Sequence, residues 1–374
     1  VCSQGEDDEI IQIRKGRVDC LKVRVISPRE LTSNEKDAWH KVVHQNSNFD
    51  SPFLHPDFTM AVAAVRTDTE IAVLEEGNEA VGFFTFQRDW AGIGRPIARP
   101  FSDVQAVVTE DSTWTAEGLV RGCRLKAWDF DHLLTWQRNF APYFTSTRPF
   151  FQIDVSGGYE AYQARRHAMG SNHIRALNRT VRRMERDIGH VRFEPKSRDK
   201  DVLKTLLKWK SDQYRRSFLK DTLRMPWVVN MLNRIHDTQG KDFAGILSAL
   251  YVGDRLVAAH LGMCSRRVWH WWLPSYDRAF SYYSPGQIMQ LQMIQSAQEI
   301  GIERIDDDPN PFFRTGSVLV AEGSVGLPCL TNNVRRRWGR IQKNAVHEIR
   351  GSFLLRPARA SYRVYRRVVD FLHL

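Results

Sequence analysis

Four consecutive residues, Ser284, Pro285, Gly286 and Gln287, stand between an aromatic run and a stretch of helical spacing. A serine at an N-cap and a proline in the first turn start a helix, and a glycine beside them lets backbone N–H groups come close to a ligand. The free amides of a helix N-terminus attract anions, so this arrangement suits a phosphate or pyrophosphate. It equally suits an ordinary capped helix. Farther on, Asp306, Asp307 and Asp308 follow one another at the end of ERIDDD. Adjacent carboxylates raise one another's pKa, which fits one of them to take a proton near neutral pH. A polar strand-end turn closed by Pro309 explains them as well. His260 and His270 fall in strand-like runs, where a lone histidine is as a rule structural, and Trp269, Trp271 and Trp272 read as core. Lys210 and Gln213, three apart on a helix, can face a cleft together or lie at the surface.

The elements that must position these residues run in one order. VWHWWLPSYD has the composition of a buried strand, and RAFSYYSPGQ is a polar loop. IMQLQMIQSAQEIGI places Ile288, Leu291, Ile294 and Ala297 at helical spacing, with Gly301 as its C-cap. A short strand then leads into the aspartates. Upstream, SNHIRALNRTVRRMERDIG is amphipathic, with Ile174, Leu177, Val181, Met184 and Ile188 in one stripe and arginines elsewhere. Two further helices, DVLKTLLKWKSDQYRR and PWVVNMLNRIH, precede a hairpin.

That hairpin has an echo. EIAVLEEGNEAVGFFTFQRD (70–89) and ILSALYVGDRLVAAHLGMCS (246–265) share strand, glycine turn, charged residue and strand, each after helices. They read as a duplication, although two unrelated hairpins would carry the same turn signals. Before the first come LKVRVIS as a strand, a helix capped at Ser33, and LHPDFTMAVAAV as a helix. After it come FSDVQAVVTE, the helix WTAEGLVRGCRL and the strand AWDFDHLL. The organisation expected is a polar lead-in at 1–19, disordered by composition, two α/β halves at 20–155 and 156–332, and a basic helical tail at 333–374.

The runs LLKWKSDQY, FAGILSALYVGDRLVAAHLG, HWWLPSYD, YSPGQIM and GIERIDD, in that order, resemble the GNAT acyltransferase superfamily, most of all its CelD/BcsL branch, linked to cellulose and exopolysaccharide biosynthesis and related to Fem-type transferases. The resemblance implies an α/β fold with a mixed sheet and two tandem GNAT-like domains. It implies acetyl-CoA or another acyl-CoA as co-substrate, with no metal, and a direct attack by the amine or hydroxyl of a sugar or polysaccharide precursor. Ser284 to Gln287 would then hold the pyrophosphate, and the two central strands would hold the pantetheine arm. Asp306 or Asp307 would serve as base and Tyr276 or Tyr283 as acid. Lys210, Gln213, Asp103 and Arg314 would face the acceptor. That branch has a glycine-bearing turn and then a lysine after the closing strand. Here the chain reads DDDPNPFFRTG, with Arg314 near the lysine's place.

At 374 residues with 42% hydrophobic content, the chain can build cores for two domains. Its net charge of +11 favours anionic partners. Nucleic acid is not favoured, because the arginine helix lacks interleaved aromatics for base stacking; tRNA enters only through a Fem-like variant that takes aminoacyl-tRNA. The five cysteines are scattered without a C-x-x-C pair, as in a cytoplasmic protein with reduced thiols. No run is long and apolar enough to span a membrane. The arginine-dense tail fits the inner face of an anionic membrane, or a partner, or its own domain. A non-catalytic accessory protein of polysaccharide synthesis is the reading that competes with an enzyme.

Overall fold

The computed structural model describes residues 22–306 and 312–326. The expected lead-in, the tail, and Asp307 with Asp308 lie outside the described residues. The first half contains β1 (Lys22–Ile26), α1 (Ser33–Gln45), α2 (Pro56–Ala63), β2 (Thr69–Glu76), β3 (Glu79–Arg88), β4 (Ile93–Arg95), β5 (Val108–Thr109), α3 (Ala116–Gly122), β6 (Ala127–Leu134) and β7 (Phe144–Asp154). The second contains α4 (Gly158–Ala168), α5 (His173–Asp187), β8 (Val191–Ser197), α6 (Lys200–Arg216), α7 (Pro226–Asp237), β9 (Phe243–Val252), β10 (Arg255–Ser265), β11 (Val268–Tyr276), α8 (Pro285–Ser296), β12 (Arg304–Asp306) and β13 (Gly316–Gly326).

All strands join one mixed sheet in the order β1-β2-β3-β4-β6-β13-β7-β12-β11-β10-β9-β8, with β5 beside β3. Counted inward from either edge, the two halves match. The hairpin β2–β3 holds the same place as β9–β10, and the parallel pair β4/β6 the same place as β11/β12. Each hairpin turns through two residues, with Gly77 and Gly253 at φ +61° and +54°, a conformation that glycine adopts without strain. The last strand of each half crosses over. β7 pairs with β12, β13 pairs with β6, and β7 and β13 pair with each other along their length. The fold is therefore mixed α/β, with two halves of matching strand order in one sheet.

Helices cover both faces because each buries one apolar stripe. On one face, α1 and α2 of the first half and α6 and α7 of the second share a single core, with Trp39, Phe58, Leu206 and Met231 inside it. On the other, α8 is buried on nearly every side between the sheet and α4 and α5, while α3 covers the first half. The stripe of α5 is buried at Ile174, Leu177 and Met184, whereas Ile188 lies past the helix end and is exposed.

Some expected boundaries shift. The cap of α1 is Thr32, whose hydroxyl accepts from Glu35 N–H while the Glu35 carboxylate accepts from Thr32 N–H, so Ser33 is already helical. Helix α8 ends at Ser296, and Gly301, at φ +77°, closes a following 3-10 turn. FSDVQAVVTE contributes only the two residues of β5, and the last strand begins at Gly316. Cys123 and Cys264 are buried free thiols, and burial pushes the Cys123 pKa up to about 12.

Candidate functional site

The site is built where β11 and β12 part. Among the described residues they pair in parallel at three positions, up to His270 opposite Asp306, the last described residue of β12, and β11 runs on to Tyr276. A bulge helps to separate them. Leu261 faces Leu273 and Met263 faces His270, so Gly262 of β10 opposes two residues, Trp271 and Trp272. An extra residue bends the strand and sharpens its twist. Gly262 has no room for a side chain, since a Cβ would lie 2.5 Å from both His260 Cε1 and the His270 carbonyl oxygen.

The matching gap in the first half is closed by its own chain. Gln105 forms a parallel bridge to Leu133, its N–H donates to the His132 carbonyl, and its own carbonyl accepts from Leu134 N–H, each at 3.0 Å. Gln137 then clamps Val107 through both of its amide atoms. In the second half, the edge of β11 runs on beyond Asp306, the last described residue of β12.

At the end of that edge stands the N-terminus of α8. Ser284 is exposed and in the left-handed region, at φ 53° and ψ 52°, and its side chain makes no capping bond. Pro285 has no N–H, and the amides of Gln287 and Ile288 both donate to the Ser284 carbonyl, at 3.0 and 3.2 Å. The Gly286 amide is left to meet an anion, helped by the helix dipole. A Cβ on Gly286 would meet only Tyr276 Cδ1, at 3.7 Å. Arg183 of α5 lies over the Tyr282 ring at 4.4 Å and donates to its hydroxyl at 2.9 Å, which brings a guanidinium to the same loop. Nothing in the sequence pairs Arg183 with this loop, because it lies a hundred residues upstream and its stripe position reads as solvated.

Of the predicted catalytic residues, Asp306, Tyr276 and Tyr283 are described, and each has its own surroundings. Asp306 is buried, accepting from Arg304 Nε at 2.8 Å and Gln152 Nε2 at 3.2 Å. Burial works against the Arg304 charge, but Asp306 outweighs it and raises the guanidinium pKa. Tyr276 is exposed at the end of β11. The Tyr283 hydroxyl donates to Asp187 at 3.1 Å; desolvation and that carboxylate raise its pKa. Lys210 donates to the Pro274 carbonyl of β11 at 3.0 Å. Gln213, on the same helix, is exposed. Arg314 is exposed and lies 4.7 Å over the Phe151 ring. Its segment is held by α4, with the Tyr162 hydroxyl on the Phe313 carbonyl and Arg166 on those of Phe312 and Arg314.

Asp103 does reach the parting point, from the first half. Its Oδ2 lies 3.0 Å from His270 Nε2. Burial would raise the Asp103 pKa, but the hydrogen bond and charge of His270, then His132, lower it. His270 is buried between Phe53 and Phe150, and its Nδ1 has no hydrogen-bond partner. His260, also buried, accepts the Trp272 N–H of the bulge at 3.1 Å and is kept neutral by burial.

Residues 171–306, from α5 through β12, match the family described as an acetyltransferase (GNAT) domain. Among curated proteins none matches the chain. A tandem GNAT protein from the clavulanic acid biosynthesis pathway is similar in structure at 8% identity and TM-score 0.46, over 82% of this chain and 98% of that one. FemX is similar at 11% identity and TM-score 0.42, over 68% of this chain and 87% of that one.

Proposed function

We propose that the chain is an acyltransferase that moves an acyl group from acyl-CoA to an amine or hydroxyl, with its donor site in the second half. The observation that carries this reading is the N-terminus of α8 just beyond β11, where the Gly286 amide and the Arg183 guanidinium come to one loop. Bound acyl-CoA would supply an activated thioester carbonyl. The Gly286 amide, the α8 dipole and Arg183 bind the pyrophosphate. β11 offers its backbone to the pantetheine arm. Asp103 holds His270 as the Nε2–H tautomer, so Nδ1 would take the acceptor's proton as the amine or hydroxyl bonds to the acyl carbon, the C–S bond breaks and CoA leaves as its thiolate. Asp306, tied to Arg304, supports the end of β12 in place.

For the acceptor, a sugar or polysaccharide precursor follows from the resemblance to the CelD/BcsL branch, and the membrane face from the basic tail. The domain boundary falls near 155, where β7 gives way to α4. The accessory reading has one observation in its favour, since Lys210 already takes the Pro274 carbonyl on the strand edge. Calorimetric titration with CoA, followed by thioester-cleavage assays with several acyl-CoAs and amino sugars, tests the proposal. CoA binding with turnover supports the enzyme. Binding without turnover supports the accessory protein, and response only to a charged tRNA supports the Fem-like variant.

A further inference from the structure

Helix α1 carries two histidines four residues apart, His40 and His44, on one face. Asp242, from the turn between α7 and β9, meets them from the other half. Its Oδ1 lies 3.2 Å from His44 Nε2, and one potential ligand atom from each of the three residues falls within 4.8 Å of the other two. We propose that His40, His44 and Asp242 form a transition-metal site of the zinc class that ties α1 to the α7–β9 turn.

Three observations carry this. The first is chemical: two imidazoles and a carboxylate are a donor set zinc accepts, leaving a fourth position for solvent. Ligand atoms about 2.0–2.2 Å from a zinc ion stand roughly 3.4 Å apart, so small side-chain rotations close the site. The second is that, among the described residues, His40 Nδ1 and His44 Nε2 are both buried without a hydrogen-bond partner, Asp242 Oδ1 lying 3.2 Å from His44 Nε2 without making one. Buried polar atoms of this kind are rare unless something satisfies them. The third is access and rigidity. The three residues line a surface pocket of about 500 Å3, together with Asp37, Lys41 and Gln45. Helix α1 is fixed by its capping box, by Trp39 stacked on Phe83 at 4.6 Å, and by Trp39 Nε1 on the Leu54 carbonyl. The turn is fixed by Gln239, which donates to the carbonyls of His236 and Gly245. Ligands on rigid elements bind without a large ordering cost.

The site lies on the α1 side, apart from the β11 edge, so its test is independent of acyl transfer. Untagged, chelator-stripped full chain is titrated with zinc chloride by calorimetry and with cobalt(II) by visible absorption. The expected result is one ion per chain, a tetrahedral cobalt spectrum and a zinc-dependent rise in melting temperature. His44→Ala and Asp242→Asn should each weaken binding by at least about tenfold, since even outer partners of a metal ligand contribute that much. His190→Ala, at an exposed position, should leave it unchanged. Absence of stoichiometric binding by the folded parent, or equal binding by both ligand variants, overturns the proposal.

Discussion

His270 Nε2 lies 3.0 Å from Asp103 Oδ2, although the two residues are 167 positions apart and belong to different halves. In the proposed reaction the aspartate holds the ring as the Nε2–H tautomer and leaves Nδ1 to accept a proton. Asp103→Asn keeps the shape and removes the charge. It should lower kcat by roughly a hundredfold or more while CoA affinity stays within about twofold. His270→Gln should lower kcat by at least as much with CoA affinity likewise held, a split between rate and binding that loss of packing alone would not produce.

Much of the fold was legible because its signals are local. Gly77-Asn78 and Gly253-Asp254 announce their hairpins, and the stripe from Val228 to Ile235 announces α7. The crossing of β7 and β13 was not legible, since a strand's own pattern does not say which neighbour it will pair with. The Asp103–His270 contact was hidden for the same reason, and His270 alone reads as a sheet histidine. The SPG turn was found because its chemistry is written in consecutive residues. By contrast, His40 and His44 are legible as H-x3-H on an expected helix, while Asp242 comes from the other half and no local pattern joins it to them.

Gly262→Ala tests the bulge. Its methyl would meet His260 Cε1 and a backbone oxygen of His270 at 2.5 Å, and the second cannot move without shifting β11. A loss of about 2–4 kcal/mol in denaturant unfolding is expected, in the range of overpacked cores. An Ala variant as stable as the parent would mean that the bulge is soft.

Acid should weaken the fold through His260. Burial lowers its pKa in the folded state, so below about pH 6.5 the unfolded chain binds a proton that the folded chain does not. Stability is then full above pH 6.5 and declines as pH falls, by up to about 1.4 kcal/mol per pH unit for one proton. Protonation would also press against the Trp272 N–H that His260 Nε2 accepts. His260→Gln offers an oxygen to that amide without titrating. Urea unfolding at pH 7, 6 and 5 should show a shallower decline in the variant, and equal slopes would assign the acid sensitivity to other groups.

Gly286→Glu separates an anion site from a plain helix cap. The position has room, with Tyr276 Cδ1 at 3.7 Å as the nearest atom to a new Cβ, and its backbone has no positive φ to relieve. Glutamate is well tolerated in a first turn and even favoured there by the dipole, so the melting temperature should hold or rise slightly. A ligand phosphate at the Gly286 amide would meet both a side chain in its path and a negative charge. CoA affinity should therefore fall by roughly tenfold or more, which about 1.4 kcal/mol of lost interaction already achieves. The effect should shrink at high salt to the extent that it is charge repulsion, while the steric part persists. Gly286→Ala, which adds only the tolerated Cβ, should bind CoA nearly as the parent does. If the folded Glu variant binds CoA as tightly as the parent, the pyrophosphate does not sit at α8, and the donor site proposed along β11 must be abandoned.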